Sequence, residues 1–132
     1  MEVVIDASVL IAVITNEDEK EKLVALTSEA ELIAPLSVHW EIGNAFSSLL
    51  KRKRLDLDEA LQAIEIYLQI PVRFVEVELT ESLELASELG LYAYDAYLLQ
   101  CSAKYHLPLL TLDNRLAQAA KEKRIQVLEV AE

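Results

Sequence analysis

Short apolar runs alternate with stretches of helical periodicity from one end of this chain to the other, and that alternation leaves few folds open. EVVI at 2–5, ELIAP at 31–35, RFVEV at 73–77, LPLLT at 107–111 and IQVLEV at 125–130 read as buried strands. Between them lie SVLIAVI at 8–14, an amphipathic segment at 17–28 with its acids early, and further helical stretches. Ser37 is expected to cap a long helix to about Arg54, with Ile42, Ala45, Phe46 and Leu49 as its apolar stripe. Asp56 is expected to cap the next, on which Leu57, Ala60, Leu61, Ile64 and Leu68 recur at helical spacing. The short turn between them predicts an antiparallel helical hairpin at about 37–70. Thr80 starts a helix that Gly90 stops, Asp95 to about His106 is helical, and Asp113 opens another helix, NRLAQAAKEK. Parallel strands need a crossover and helices supply it, so the predicted class is α/β, a parallel sheet covered on both faces. With 132 residues, 53% of them hydrophobic, and only two glycines and three prolines, little is left for linkers. One domain spanning 1–132 is the expectation.

Four carboxylates stand where apolar runs give way to helices: Asp6 in VVID, Glu41 in APLSVHWE, Asp95 in YAYDAYLL and Asp113 in LPLLTLD. In alternating α/β folds such junctions lie at the carboxyl ends of the strands, the edge where parallel sheets bind ligands. Taken singly, Asp6, Asp95 and Asp113 each read as a helix cap, since aspartate there accepts a backbone hydrogen bond and favours the positive end of the helix dipole. Glu41 does not fit that account. It falls one turn into its helix, in line with Val38 and Ala45 at the edge of the apolar stripe, where ionisation is costly without compensation. Asn44, three residues on, is expected to help hold it. A joint acidic pocket explains all four, and a carboxylate cluster without cationic partners calls for a hard cation such as Mg²⁺ or Mn²⁺.

Ser8 and Thr111, each two residues from an acid, suit hydrogen bonds to a carboxylate or a bound water, or ordinary backbone bonding near turns. Asn114 and Arg115 read as a helix first turn. His39 and His106 share no metal-ligand spacing, and His106 fits a helix carboxyl end. Trp40 and the tyrosines at 92, 94 and 97 are left open between internal packing and a subunit interface.

The net charge of −11 argues against a protein that coats nucleic acid, because phosphate neutralisation drives such binding. Positive charge is concentrated only at Lys51, Arg52, Lys53 and Arg54, either a contact to a substrate backbone or a solvated helix end. No apolar run approaches a membrane span, and an acid follows the initial Met where a signal peptide carries positive charge. The single cysteine, Cys101, reads as a small core residue, and the expected compartment is the cytoplasm.

The segments VIDASVL, WEIGNAF and YDAYLLQCSAKYHLPLLTLDNRLAQAA together resemble the PIN-domain nucleases, most of all the compact prokaryotic VapC-type toxin ribonucleases. The resemblance spans essentially the whole chain. It implies a three-layer α/β/α fold with a five-stranded parallel sheet of order 3-2-1-4-5. It also implies one or two Mg²⁺ or Mn²⁺ ions held by Asp6, Glu41, Asp95 and Asp113, with Ser8, Asn44 and Thr111 as accessory polar positions. Endoribonuclease action, homodimers and inhibition by a cognate antitoxin protein are further implications, with RNA as substrate. A receiver domain expects an adjacent acidic pair after the first strand and a lysine near the last, whereas Ala7 and Ser8 follow Asp6. A haloacid-dehalogenase-type phosphatase needs an aspartate where Ser8 stands. A non-catalytic module holding a structural cation is the remaining alternative.

Overall fold

The computed structural model describes residues 1–15 and 20–129. Its elements follow the order β1 (Glu2–Ile5), α1 (Ala7–Thr15), α2 (Lys20–Thr27), β2 (Glu31–Pro35), α3 (Ser37–Lys51), α4 (Leu57–Gln69), β3 (Val72–Val75), α5 (Leu79–Leu89), α6 (Ala93–Tyr105), β4 (Leu109–Leu110) and α7 (Asn114–Glu122). The strands form a parallel sheet in the order β3-β2-β1-β4. Val3, Val4 and Ile5 of central β1 are all buried. Because successive strand residues point to opposite faces, burial of all three means that helices cover the sheet on both sides.

The fifth strand expected over 125–130 is reduced, among the described residues, to one parallel bridge between Leu109 and Val127. There the Leu109 N–H donates to the Gln126 carbonyl at 2.9 Å, and the Leu128 N–H donates to the Leu109 carbonyl at 2.9 Å. The segment thus continues the order 3-2-1-4 in the expected direction, but β4 contributes only Leu109 and Leu110 to the ladder, too short to pair with a full strand. Residues 17–19 of the helix expected at 17–28, and Val130, lie outside the described residues.

Three local expectations are corrected. Ser37 does not cap α3: Leu36 is already helical (φ −58°, ψ −24°) and stands at the N-cap, with no side-chain cap bond. Ser37 is therefore the first helical residue, and its buried hydroxyl has no hydrogen-bond partner among the described residues. On α4 the inward face is Ala60, Ala63, Ile64 and Tyr67, while Leu57, Leu61 and Leu68 are exposed. That helix carries two apolar stripes, and the one with small side chains and Tyr67 turns inward; the Tyr67 hydroxyl lies 2.8 Å from His39 Nδ1 of α3. The helix after β3 begins at Leu79, a residue before Thr80, with Glu78 as N-cap.

Other signals hold. Asp56 caps α4 in a capping box with Glu59, the side chain of each accepting the other's backbone N–H at 2.8 and 3.0 Å. Gly90 ends α5 in the left-handed conformation at φ 67°, which a residue without Cβ adopts freely. The hairpin of α3 and α4 spans the expected region, and His106 caps the carboxyl end of α6. Cys101 is fully buried. No helix among the described residues is long and apolar enough to cross a membrane.

Candidate acidic site at the carboxyl edge of the sheet

β1 ends at Ile5 and delivers Asp6 to the first turn of α1, where its Oδ1 accepts the Val9 N–H at 3.2 Å. Asp6 is thus a cap, as its sequence context allows, but it is also the centre of a longer network. The Ser8 hydroxyl donates to Oδ1 at 2.6 Å and the Thr111 hydroxyl donates to Oδ2. Both hydroxyls then accept from the loop after β4: Ser8 Oγ takes the Leu112 N–H at 3.1 Å, and Thr111 Oγ1 takes the Asp113 N–H at 2.9 Å. Two short side chains therefore fasten the end of β1 to the end of β4. Asp113 in turn caps α7, its Oδ1 accepting the Arg115 and Leu116 N–H groups at 2.9 and 3.2 Å. Asn114 and Arg115 open that helix, as expected.

Asp95 is not a cap. It lies in the first turn of α6, whose N-cap is Tyr92. The segment before it is a helix-to-helix link after Gly90, not a strand, so the expectation of a strand-to-helix junction fails for this residue. Packing of α6 on β1 and β2 nonetheless brings Asp95 to the same edge.

The four acids share one electrostatic field. Burial pushes Asp6 above the ordinary carboxylate value, against the lowering effect of its hydrogen bonds, and Asp113 pushes in the same direction. Glu41 is raised to about 7, first by burial and then by the charges of Asp6 and Asp95. Asp95 is raised by burial and by Asp113, with Arg115 opposing. Each acid is thereby linked to at least one other. Glu41 Oε1 is buried without a hydrogen-bond partner among the described residues, and the bond expected from Asn44 is not made. Asn44 is exposed and lines the same cavity instead.

That cavity, of about 360 Å³, is lined by Ala7, Ser8 and Ile11 of α1, Trp40, Glu41, Asn44 and Ala45 of α3, and Tyr94 of α6. The sequence alone leaves Trp40 and Tyr94 open between packing and an interface; their position beside Glu41 and Asp95 in the chain is the one signal that points to the site. A second cavity of about 360 Å³ at the ends of β2 and β3 includes Tyr97 but none of the four acids. The basic run does not join the site. Lys51, Arg52, Lys53 and Arg54 are exposed at the end of α3 and in the following turn, and none forms an ion pair among the described residues. Lys51 lies ~15 Å along the helix from Glu41 at 1.5 Å per residue.

Among the described residues, no three acidic, histidine or cysteine groups are gathered closely enough to form a ready ligand set. The donors nonetheless fit a hard divalent cation: all are carboxylate oxygens, they repel one another, and one Glu41 oxygen is buried without a partner. A cation there would remove the cost that raises the three pKa values.

A parallel α/β sheet with an acidic pocket at its carboxyl edge is a recognisable class, and comparison with known proteins makes it specific. Residues 3–122 match the PIN domain family, and the chain belongs to it. It is similar to ribonuclease VapC3 of Pyrobaculum aerophilum, 28% identical over 123 residues that cover 89% of this chain and 94% of the relative. Among solved structures, PAE2754 from Pyrobaculum aerophilum superposes with a TM-score of 0.75 at 24% identity, covering 98% of this chain and 91% of that one. VapBC2 from Rickettsia felis, solved bound to a DNA fragment from its promoter, gives 0.67 at 16% identity over 98% of both chains. VapC20 from Mycobacterium tuberculosis, described as a toxin cleaving the sarcin–ricin loop, gives 0.63 at 16% identity, over 89% of this chain and 94% of that one.

Proposed function

We propose that this chain is a single-domain endoribonuclease dependent on Mg²⁺ or Mn²⁺, the toxin of a toxin–antitoxin pair acting in the cytoplasm. The observation that carries the reading is the set of four acids whose charges act on one another, one of which, Glu41, has a buried oxygen without a partner. Its membership of the PIN family, its relative named a ribonuclease and the VapBC2 complex support it and suggest a cognate antitoxin. A homodimer is part of the same proposal.

Hydrolysis of a phosphodiester needs an activated water, charge neutralisation on the phosphate and a stabilised leaving oxygen. One or two bound divalent cations supply the Lewis acidity for these. Asp6 and Asp95 are the direct ligands in this reading. Ser8 and Thr111 hold Asp6 in one orientation. Glu41 and Asp113 act through water, orienting the attacking molecule or holding a second ion. Because no serine or histidine nucleophile is required, the expected products carry 5′-phosphate and 3′-hydroxyl ends.

Purified protein should cleave RNA with Mn²⁺ or Mg²⁺ and lose the activity in EDTA. Asp95→Asn should be inactive with an unchanged circular-dichroism spectrum. Full cleavage by that variant, or in EDTA, would remove the metal mechanism. Cation binding without cleavage of any RNA would favour the non-catalytic module instead.

A further inference from the structure

We infer that the cavity between α1, α3 and α6 receives an unstacked nucleobase next to the phosphate held at the acids, with Trp40 and Tyr94 as stacking surfaces. The inference rests on the nuclease reading and adds a subsite that takes the base.

Two large aromatic side chains in this cavity are left in solvent, Trp40 at 67% and Tyr94 at 56% exposure, while Ala7, Ile11 and Ala45 of the same wall are buried or half-buried. Trp40 is braced by an edge contact to His39 at 4.8 Å between ring centres, and Tyr94 by one to Tyr97 at 6.0 Å. Bracing fixes a ring without hiding its face, which is what a stacking surface needs at low entropic cost. The aromatics come from different helices, and each is the chain neighbour of an acid: Trp40 precedes Glu41 and Tyr94 precedes Asp95. Ile11 and Ala45 add apolar lining, while Ser8, Glu41 and Asn44 supply polar atoms. A volume of about 360 Å³ falls in the range of small-ligand sites, roughly 300–1,000 Å³. An apolar slot with two aromatic side chains and a few polar groups, Glu41 among them, matches a nucleotide whose base is turned out of its stack.

Charge points the same way. With a net charge of −11 and the one concentrated basic run ~15 Å along α3, phosphate attraction contributes little at the site itself. Base stacking, which needs no counterion release, then carries much of the binding. A base inside a duplex cannot present both faces to protein rings, so duplex RNA is a poor ligand.

Trp40 is the only tryptophan in the chain, so its fluorescence reports the site directly. In the cleavage-inactive Asp95→Asn protein, a single-stranded oligoribonucleotide should quench Trp40 emission, while duplex RNA and inorganic polyphosphate should not. Each of Trp40→Ala and Tyr94→Ala should weaken binding about 5- to 150-fold, and Trp40→Phe should retain most of it. In the active protein Trp40→Ala should raise KM more than it lowers kcat. An abasic substitution at one nucleotide beside the mapped cut should mimic Trp40→Ala and add little to it.

Three results would overturn the inference. Quenching by polyphosphate as strong as by RNA would mean that no base is recognised. Unchanged KM in both alanine variants would leave the nuclease standing without a base pocket. An altered oligomeric state, with RNA affinity intact, would assign the aromatics to a subunit interface. Quenching by single strands alone, from a protein that cuts no RNA, would instead uphold the pocket and sink the nuclease reading.

Discussion

Glu41→Gln is expected to make the metal-free protein more stable at pH 8 and to flatten its dependence on pH. In the folded chain this carboxyl is raised from 4.5 to about 7 by burial and by Asp6 and Asp95. Between those values the folded state keeps a proton that the unfolded state has released. The contribution of this carboxyl to stability is therefore complete below 4.5, falls as pH rises through this window, and is lost above 7. At ~1.4 kcal/mol per tenfold change in proton affinity the whole effect would be ~3 kcal/mol; partial solvent access to the carboxyl reduces it to ~1–2 kcal/mol. For a chain of this size that is roughly 3–8 °C in melting temperature. Thermal melts in EDTA from pH 5 to 8, wild type against Glu41→Gln, read the difference directly. Asp6 and Asp95 are raised as well, and because their charges act on Glu41 the comparison reads Glu41 together with its coupling to them. Adding Mn²⁺ should stabilise the wild type and help the variant less, because a ligand of the native state alone raises apparent stability. A variant less stable than wild type at pH 8 in EDTA would refute the reasoning, since it would show the charged carboxylate to be satisfied.

Thr111→Val removes the hydroxyl that donates to Asp6 and accepts from Asp113 N–H; a loss of ~1–3 kcal/mol is expected at neutral pH, measured by urea unfolding. Changing Lys51, Arg52, Lys53 and Arg54 to Gln should lower the slope of log affinity for RNA against log salt by about 0.7 per lost phosphate contact, and an unchanged slope would make them a solvated helix end. Cys101, buried and with its thiol pushed up to about 12, should react with a thiol reagent only as fast as the protein unfolds; rapid labelling of the native protein would contradict its burial.

The sheet and the edge on which the acids sit were legible because β1 and β2 are uninterrupted apolar runs with helices behind them. Asp6 and Asp113 were placed by that logic alone. Asp95 reached the same edge by another route, since α6 follows a helix and its register depends on packing against β1 and β2, which no local pattern encodes. The α4 face failed for a related reason. Periodicity puts Leu57, Ala60, Leu61, Ile64 and Leu68 in one broad stripe, of which only Ala60 and Ile64 face inward, beside Ala63 and Tyr67, and only the packing partner chooses the edge of the stripe that is buried. Ser37 missed its cap because Leu36 turned helical one residue early. Asn44 has the right spacing to reach Glu41 but points into the open cavity, and spacing on a helix does not specify rotamer.

The clamp on Asp6 spans 105 residues between its carboxylate and Thr111. Closing a loop of that length costs about 4 kcal/mol beyond a constant term, so this contact forms only when other packing already holds the chain ends together. On a ribosome, β1 emerges first and must wait for β4, the Thr111 loop and α7 before Asp6 meets Asp113. Synthesis at about 5–20 residues per second makes that wait several seconds long. A truncated product that stops before residue 111 can bury much of β1, β2 and their helices yet lacks one of the four acids and the hydroxyl that orients another. The order of the strands in the chain thus acts as a completion check: the acidic centre exists only in a finished protein.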